Sequence, residues 1–341
     1  MFNFKNDYNY LCHENILLAL QKYSCEANEV YGLDSHTESA KELIKKHLTN
    51  KNVDIHFFVG GTLLNKTVIS HILRPYEAVI SAVTGHINVH ETGAIEATGH
   101  KVITIPSHDG KVNISDIKKC ISSHVDEHMV FPKIVYISES TETGSVYSKE
   151  ELKEIYEFCK EVGLYLFVDG ARLGCALATN LIALDDLAEY SDVFYIGGAK
   201  NGALLGEALV IVNDNLKSNF RFSIKQNGGM YSKGFVAGIQ FEELFKDDLY
   251  LKLAKQSNET AAFLYNELVQ RGIRMQGECV TNQLFPIVSN ELFIKLKEIA
   301  SFELWEDLGS EKVIRFVCGF KTTKEYVQEF IIKLDLLMKK W

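Results

Sequence analysis

Prolines are scarce, four in 341 residues, and no low-complexity tract or internal repeat is visible. Extended disorder therefore has little support in the composition. The seven cysteines, at 12, 25, 120, 159, 175, 279 and 318, include no C-x-x-C pair and are odd in number. Such a set reads as reduced thiols in a cytoplasm. Positive charge is also short: the net charge of -9 argues against a nucleic-acid partner, which asks for a clustered basic face. No apolar run is long enough for a bilayer, since GALLGEALVIV is interrupted by Glu207 and falls well under the length of a span. The first ten residues, MFNFKNDYNY, are polar and lack the apolar segment of a secretory signal, so no membrane association is expected. Neither G-x-G-x-x-G nor G-x-x-x-x-G-K-[ST] occurs, which removes the commonest nucleotide-binding readings.

What is present is an ordinary globular composition, 46% hydrophobic and 24% charged. The length allows one large domain with a smaller appendage. Short apolar runs alternate with helix-period segments through the centre of the chain: HFFVG at 56 to 60, EAVISA, KVITIP, KIVYIS, LYLFV, VFYI and ALVIV are strand candidates. Strands alternating with helices predict an α/β fold with a mostly parallel central sheet covered by helices on both faces. From about residue 239 the pattern changes to longer amphipathic stretches around short strands such as NQLFPIV and KVIRFVC, read as a smaller α+β C-terminal domain. The expected division is an N-terminal arm at 1–40, a large domain at 41–238 and a small domain at 239–341.

One helix is fully signed. In SKEELKEIYEFCKEVG, Ser148 and Glu151 form a capping box, Leu152, Ile155, Tyr156 and Cys159 share a face, and Gly163 stands where a left-handed residue ends a helix. LYLFV follows as a strand whose carboxyl end carries Asp169, and ligands bind at that edge in open α/β sheets.

Three places on that edge carry chemistry: GGT at 60 to 62, Asp169 in FVDGAR and Lys200 in GGAKNG. Glycines and a hydroxyl opening a helix can cradle a phosphate, because free amides and the helix dipole favour an anion. Desolvation disfavours the charged form of a lysine and gives a nucleophilic amine. Alone, Lys200 reads as a solvated loop lysine and GGT as a turn. Together with Asp169 they match the needs of pyridoxal 5'-phosphate, a lysine to hold the aldehyde as an imine and a carboxylate to keep the pyridine nitrogen protonated. His86 and His90, spaced i, i+4 and followed by Glu91, could suggest a metal pair, but the order is not H-E-x-x-H and no third ligand is evident.

The ordered set GGT, HINVHETGAIEATG, SESTETG, FVDGARL, GGAKNGALLGEALV and IRFV resembles the low-specificity threonine aldolases of the β-eliminating lyase group, pyridoxal-phosphate enzymes of fold type I. The resemblance covers nearly the whole chain. It implies that Lys200 is the Schiff-base lysine, Asp169 the partner of the pyridine nitrogen, and Gly61 and Thr62 phosphate contacts. It also implies that His86 stacks on the cofactor ring, that Arg172 and Arg315 grip the substrate carboxylate or support the cofactor, and that His128 lies near the substrate hydroxyl. Asn6 occupies the place of a substrate-binding serine, and Tyr31 reaches a neighbouring subunit's site in a homo-oligomer, dimer or tetramer, with shared active sites. Ala199 and Asn201 flank the lysine where the family has serine and glycine, and GGMYSKG lacks an expected arginine.

The expected activity is cleavage of the Cα–Cβ bond of a small β-hydroxy-α-amino acid, threonine or allo-threonine, to glycine and an aldehyde, with His86, His128 or a held water as base. β-Elimination, and a non-catalytic protein that keeps the cofactor pocket, are the rival readings.

Overall fold

The computed structural model describes residues 1–338; the last three residues of the C-terminal amphipathic stretch lie outside the described residues. Seven strands form the central sheet, in the spatial order Asp54–Phe58, Glu207–Ile211, Val193–Gly197, Tyr165–Asp169, Phe131–Ser138, Glu77–Ala82 and Val102–Ile105. All seven strand candidates of the sequence are present. Only Glu207–Ile211 runs against the others, so the sheet is mostly parallel.

The strands are mostly apolar because both faces are covered. Successive side chains point to opposite faces, and the strands accordingly feed two cores. Val135, Ile137, Val168, Phe194 and Ile196 pack into one; Ile134, Tyr136, Phe167, Val193 and Tyr195 pack into the other. The helix Lys149–Glu161 carries the expected capping box between Ser148 and Glu151. It ends into Gly163 at φ +75°, a conformation that costs other residues steric strain. The 86–99 segment, by contrast, is no long helix. One turn, His86–Val89, and a 3-10 turn, Glu96–Thr98, are separated by Gly93 at φ +71°.

The C-terminal part forms a five-stranded sheet in which Glu311–Val317 pairs with Gln283–Leu284, Pro286–Ser289 and Glu303–Asp307. The expected N-terminal arm does not stand apart from it. Phe2–Asn3 pairs with Ala300–Ser301, and fully buried Phe4 packs against Phe316 and Phe330. Further on, helix Ser35–Lys46 packs against helix Phe235–Phe245 so closely that a Cβ on Gly238 would lie 2.5 Å from the Thr37 nitrogen. A boundary at 238/239 therefore falls inside a helix seated on the large sheet's layer. The chain turns instead at Asp247 and Asp248, both at positive φ, which splits the amphipathic run after 239 into Phe235–Phe245 and Leu249–Gln270.

Candidate active site

The carboxyl ends of the parallel strands open into a cavity of about 340 Å³ that Lys200, Arg172, Arg315, His86, Gly61 and Thr62 all help to line. A larger cavity of about 680 Å³ lies between Leu177–Asp186 and the starts of helices Lys149–Glu161 and Leu249–Gln270. It contains none of the expected site residues, so chemistry rather than size selects the smaller one.

Asp169 ends its strand and is 2% exposed. The next residue must be glycine, since a Cβ on Gly170 would come within 1.7 Å of the Tyr195 carbonyl. Tyr136 and Tyr195 hydroxyls, the Asn65 amide at 3.0 Å and the Ala171 N–H at 3.0 Å all donate to the Asp169 carboxylate. Burial pushes its carboxyl upward, but the His86 charge and these hydrogen bonds outweigh burial and hold it below the usual carboxylate range. A fixed negative charge therefore sits directly behind the Tyr195 and Ala171 wall of the cavity.

His86 is aimed by a chain of contacts. Its backbone N–H donates to Glu142 Oε1 at 2.9 Å, and its ring Nδ1 lies 2.8 Å from Glu91 Oε1, which also accepts from Asn65 at 2.8 Å. A carboxylate can only accept, so Nδ1 is the donor and Nε2, when it carries no proton, is the free acceptor. His90, whose ring centroid is 5.5 Å from that of His86, lines the same cavity. Burial, then the neighbouring His86 and Arg315 charges, lower its pKa and keep it neutral.

Lys200 leaves part of its surface open to the cavity. The protein packed around its ammonium, and after that the Arg172 charge, pull its pKa down against the opposing pull of Asp7, Asp169 and Glu207. Glu207, buried and accepting the Gly198 N–H at 2.9 Å, is pushed up by the same burial. The lysine loop is pinned from behind: Tyr250 donates to the Gly197 carbonyl at 3.0 Å, and Asn201 donates to the Tyr250 carbonyl at 2.8 Å. Asn201, where the resembled family has glycine, thus anchors the loop to helix Leu249–Gln270.

Gly61 and Thr62 open the twelve-residue helix Gly61–Ile72, whose N-cap, Gly60, supplies no side-chain hydrogen bond. Arg172 is spoken for within the chain. Its Nε and Nη2 donate to the Asp7 oxygens at 2.7 and 3.0 Å, and Asn282 adds a third donor at 2.9 Å. Arg315 is less satisfied, with Nη2 on Glu303 at 2.5 Å and Nε buried without a partner.

Besides Asp169, which lies behind its wall, three expected residues stand outside this cavity. His128 is exposed on the loop before Phe131–Ser138, hence at the amino end of a strand whose carboxyl end faces the site. Eight residues at about 3.3 Å each put roughly 25 Å of strand between the two ends, so His128 does not reach the cavity of its own chain. Asn6 instead accepts the Tyr8 N–H at 3.2 Å, while Tyr8 lines the cavity and Asp7 holds Arg172 behind it. Tyr31, 39% exposed at φ +60°, lies beside Lys225 and Arg221. Among the described residues no group of three or more His, Cys, Asp or Glu is placed to hold a metal. The sequence reading missed Asp7, Asn65, Tyr136, Glu142, Tyr195 and Glu303; Glu91, noted only beside a possible metal pair, and Glu207, a charge inside an apolar strand, left a visible signal.

The profile of the family described as beta-eliminating lyase matches residues 21–291. The chain belongs to that family. Among its relatives, the low specificity L-threonine aldolase of Pseudomonas sp. (strain NCIMB 10558) is 30% identical over 98% of this chain and 96% of its own. The enzyme of the same name from Escherichia coli K12 is 29% identical over 89% of each. A solved Leishmania major threonine aldolase is 44% identical, with a TM-score of 0.97 over 99% of each chain. The histidinol-phosphate aminotransferase of Clostridium acetobutylicum shares the fold, with a TM-score of 0.76 at 14% identity. The family fold is fold type I of the pyridoxal-phosphate enzymes, which implies that cofactor.

Proposed function

We propose that this member of the family is a pyridoxal-phosphate aldolase that splits the Cα–Cβ bond of β-hydroxy-α-amino acids such as threonine and allo-threonine, releasing glycine and an aldehyde. The observation that carries this is the convergence, at one cavity, of an amine with lowered pKa and an uncapped helix N-terminus that line it, with a carboxylate held ionised by four donors directly behind its Tyr195 and Ala171 wall. The cofactor fits these residues. Lys200 would hold its aldehyde, Asp169 its pyridine nitrogen, His86 its ring face, and the amides at Gly61 and Thr62 its phosphate, where the helix dipole favours an anion. When bound, pyridoxal phosphate supplies an electron sink for the bond broken at the substrate α-carbon.

The chain's own groups do the rest. Arg315, with an unpartnered Nε and one weakly held Nη1, offers the fork of donors suited to the amino-acid carboxylate. Arg172, locked to Asp7, keeps Lys200 short of protons by its charge and positions the N-terminal segment. The proton on the substrate β-hydroxyl needs an acceptor of neutral imidazole type, and His86 Nε2 and His90 are the two that line the cavity. Asn6, Tyr31 and His128 contribute nothing to the cavity of their own chain, and we assign Tyr31 and His128 to the site of a neighbouring subunit in a homo-oligomer. Seven unpaired cysteines, five of them buried, support a reducing cytoplasmic setting. No described helix is long and apolar enough to cross a membrane.

The test is to incubate the cofactor-loaded protein with threonine, allo-threonine and phenylserine and to measure products. Glycine with the matching aldehyde is expected; ammonia with the matching 2-oxo acid instead, 2-oxobutyrate from threonine or phenylpyruvate from phenylserine, would move the reading to β-elimination, and no turnover at full loading would leave a cofactor-binding protein.

A further inference from the structure

Arg315 and Glu303 are direct cross-strand partners, with Cα register Glu303↔Arg315. The pair is asymmetric: Arg315 is 8% exposed, whereas the Glu303 side chain is 36% exposed. Both line the candidate active-site cavity. Glu303 Oε2 accepts Nη2–H at 2.5 Å, Gln283 Oε1 is reached from Nη1 only at 3.5 Å, and Nε has no partner. The guanidinium also lies 5.4 Å from the Trp305 ring centre. One carboxylate therefore sits on the donors that the proposed reaction needs for another.

Glu303 is built to leave. Strand Glu303–Asp307 pairs with Glu311–Val317 alone, and its register slips between Leu304 and Glu306. An edge strand with a bulge is held by fewer ladder bonds than a central one and re-aims its side chains easily. When the carboxylate swings out it enters water, so no charge is stranded. Arg172 shows the contrasting design: its partner Asp7 is 2% exposed, fixed by Asn282 and has no route to solvent.

We propose that Glu303 is a specificity-determining residue that acts as an intramolecular competitor for the substrate carboxylate. It occupies Arg315 until an amino-acid carboxylate takes its place. The exchange trades one carboxylate for another, so the buried guanidinium is never left unpaired, an outcome that would otherwise be strongly unfavourable. An amine without a carboxylate cannot make that trade and leaves Glu303 in place. The proposal rests on the aldolase reading in so far as the ligand is an amino acid bound through Arg315.

The experiment compares the wild-type holoenzyme with Glu303→Gln and Glu303→Ala, using glycine binding by calorimetry alongside KM and kcat for threonine. Removing the competitor should tighten glycine and lower KM by about three- to fivefold, the range for a partly exposed ion pair, with kcat changed less than twofold. Ethanolamine, which has no carboxylate, should bind all three proteins alike, and Arg315→Lys in the Glu303→Gln background should cancel the gain. A structural role for Glu303, holding Arg315 in place, predicts the opposite sign. Unchanged or weakened glycine binding in both variants, or no glycine binding to any of the proteins, overturns the proposal. Wild-type turnover is read separately: its absence sinks the aldolase assignment, while the calorimetric comparison still decides the role of Glu303.

Discussion

Asp7→Asn is the sharpest test of how the site is assembled, because the Arg172–Asp7 pair joins the N-terminal segment to the start of helix Leu173–Leu177. Both side chains are nearly dry, 10% and 1% exposed. Asparagine keeps the shape but removes the charge and turns one acceptor into a donor facing Arg172 or Asn282. Breaking a buried, doubly hydrogen-bonded pair costs about 3–5 kcal/mol, because the remaining charge stays buried. With an unfolding entropy near 2.1 cal/mol/K per residue, 341 residues give about 0.7 kcal/mol/K, so the loss corresponds to roughly 4–7 °C in Tm. Burial pushes the Asp7 carboxyl up, but Arg172 and Lys200 charges and the hydrogen bonds hold it below its ordinary value. A depressed folded-state pKa stabilises above the unfolded value, near pH 4, and this contribution is lost as pH falls through the folded value. The assay is differential scanning fluorimetry of wild type and Asp7→Asn from pH 8 down to pH 3. A gap of several degrees at pH 7 that narrows below pH 4 is expected; a gap under 1 °C, or one that widens in acid, would refute the reasoning.

Borohydride reduction of the loaded protein followed by peptide mapping should leave the pyridoxyl mass on the peptide containing Lys200, and an adduct on another lysine would displace it from the site. Asp169→Asn should lower turnover about a hundredfold or more, the size seen when a preorganised charge is removed; near-wild-type rates in a folded, loaded variant would reassign the ring-nitrogen partner. Ser148→Ala removes the N-cap of Lys149–Glu161 and should cost about 1 kcal/mol, seen as a Tm lower by 1–2 °C at unchanged KM; no shift, or a shift in KM, contradicts a purely local cap. Arg315→Lys should weaken glycine binding about tenfold through loss of the bidentate fork, and unchanged affinity would remove Arg315 from the carboxylate.

The elements most legible in the sequence are those whose causes are local. The capping box at Ser148 and the left-handed Gly163 act within a few residues of chain, and the apolar strands announce a buried sheet because both of their faces are covered. Lys200, Asp169, Gly61 and Thr62 were equally visible, since strand ends followed by glycine turns fix where such groups emerge. The amphipathic stretch after 239 showed no internal break although Asp247 and Asp248 divide it, because aspartate carries no strong signal for a left-handed turn. That His128 lies away from the cavity of its own chain was hidden for a different reason: an ordered set of motifs gives sequence neighbours but not which end of a strand a loop serves.

The chain's own letters determined the layered α/β architecture and the groups at the strand ends, since periodicity, caps and glycine turns are short-range effects. Which groups partner those side chains was decided only by the tertiary structure. Asp7 and Arg172 are 165 residues apart, Asn65 and Asp169 are 104 apart, and the Glu303–Arg315 pair depends on strand register. Such contacts form when the sheet closes and the N-terminal segment packs onto the C-terminal sheet, and no local preference encodes them.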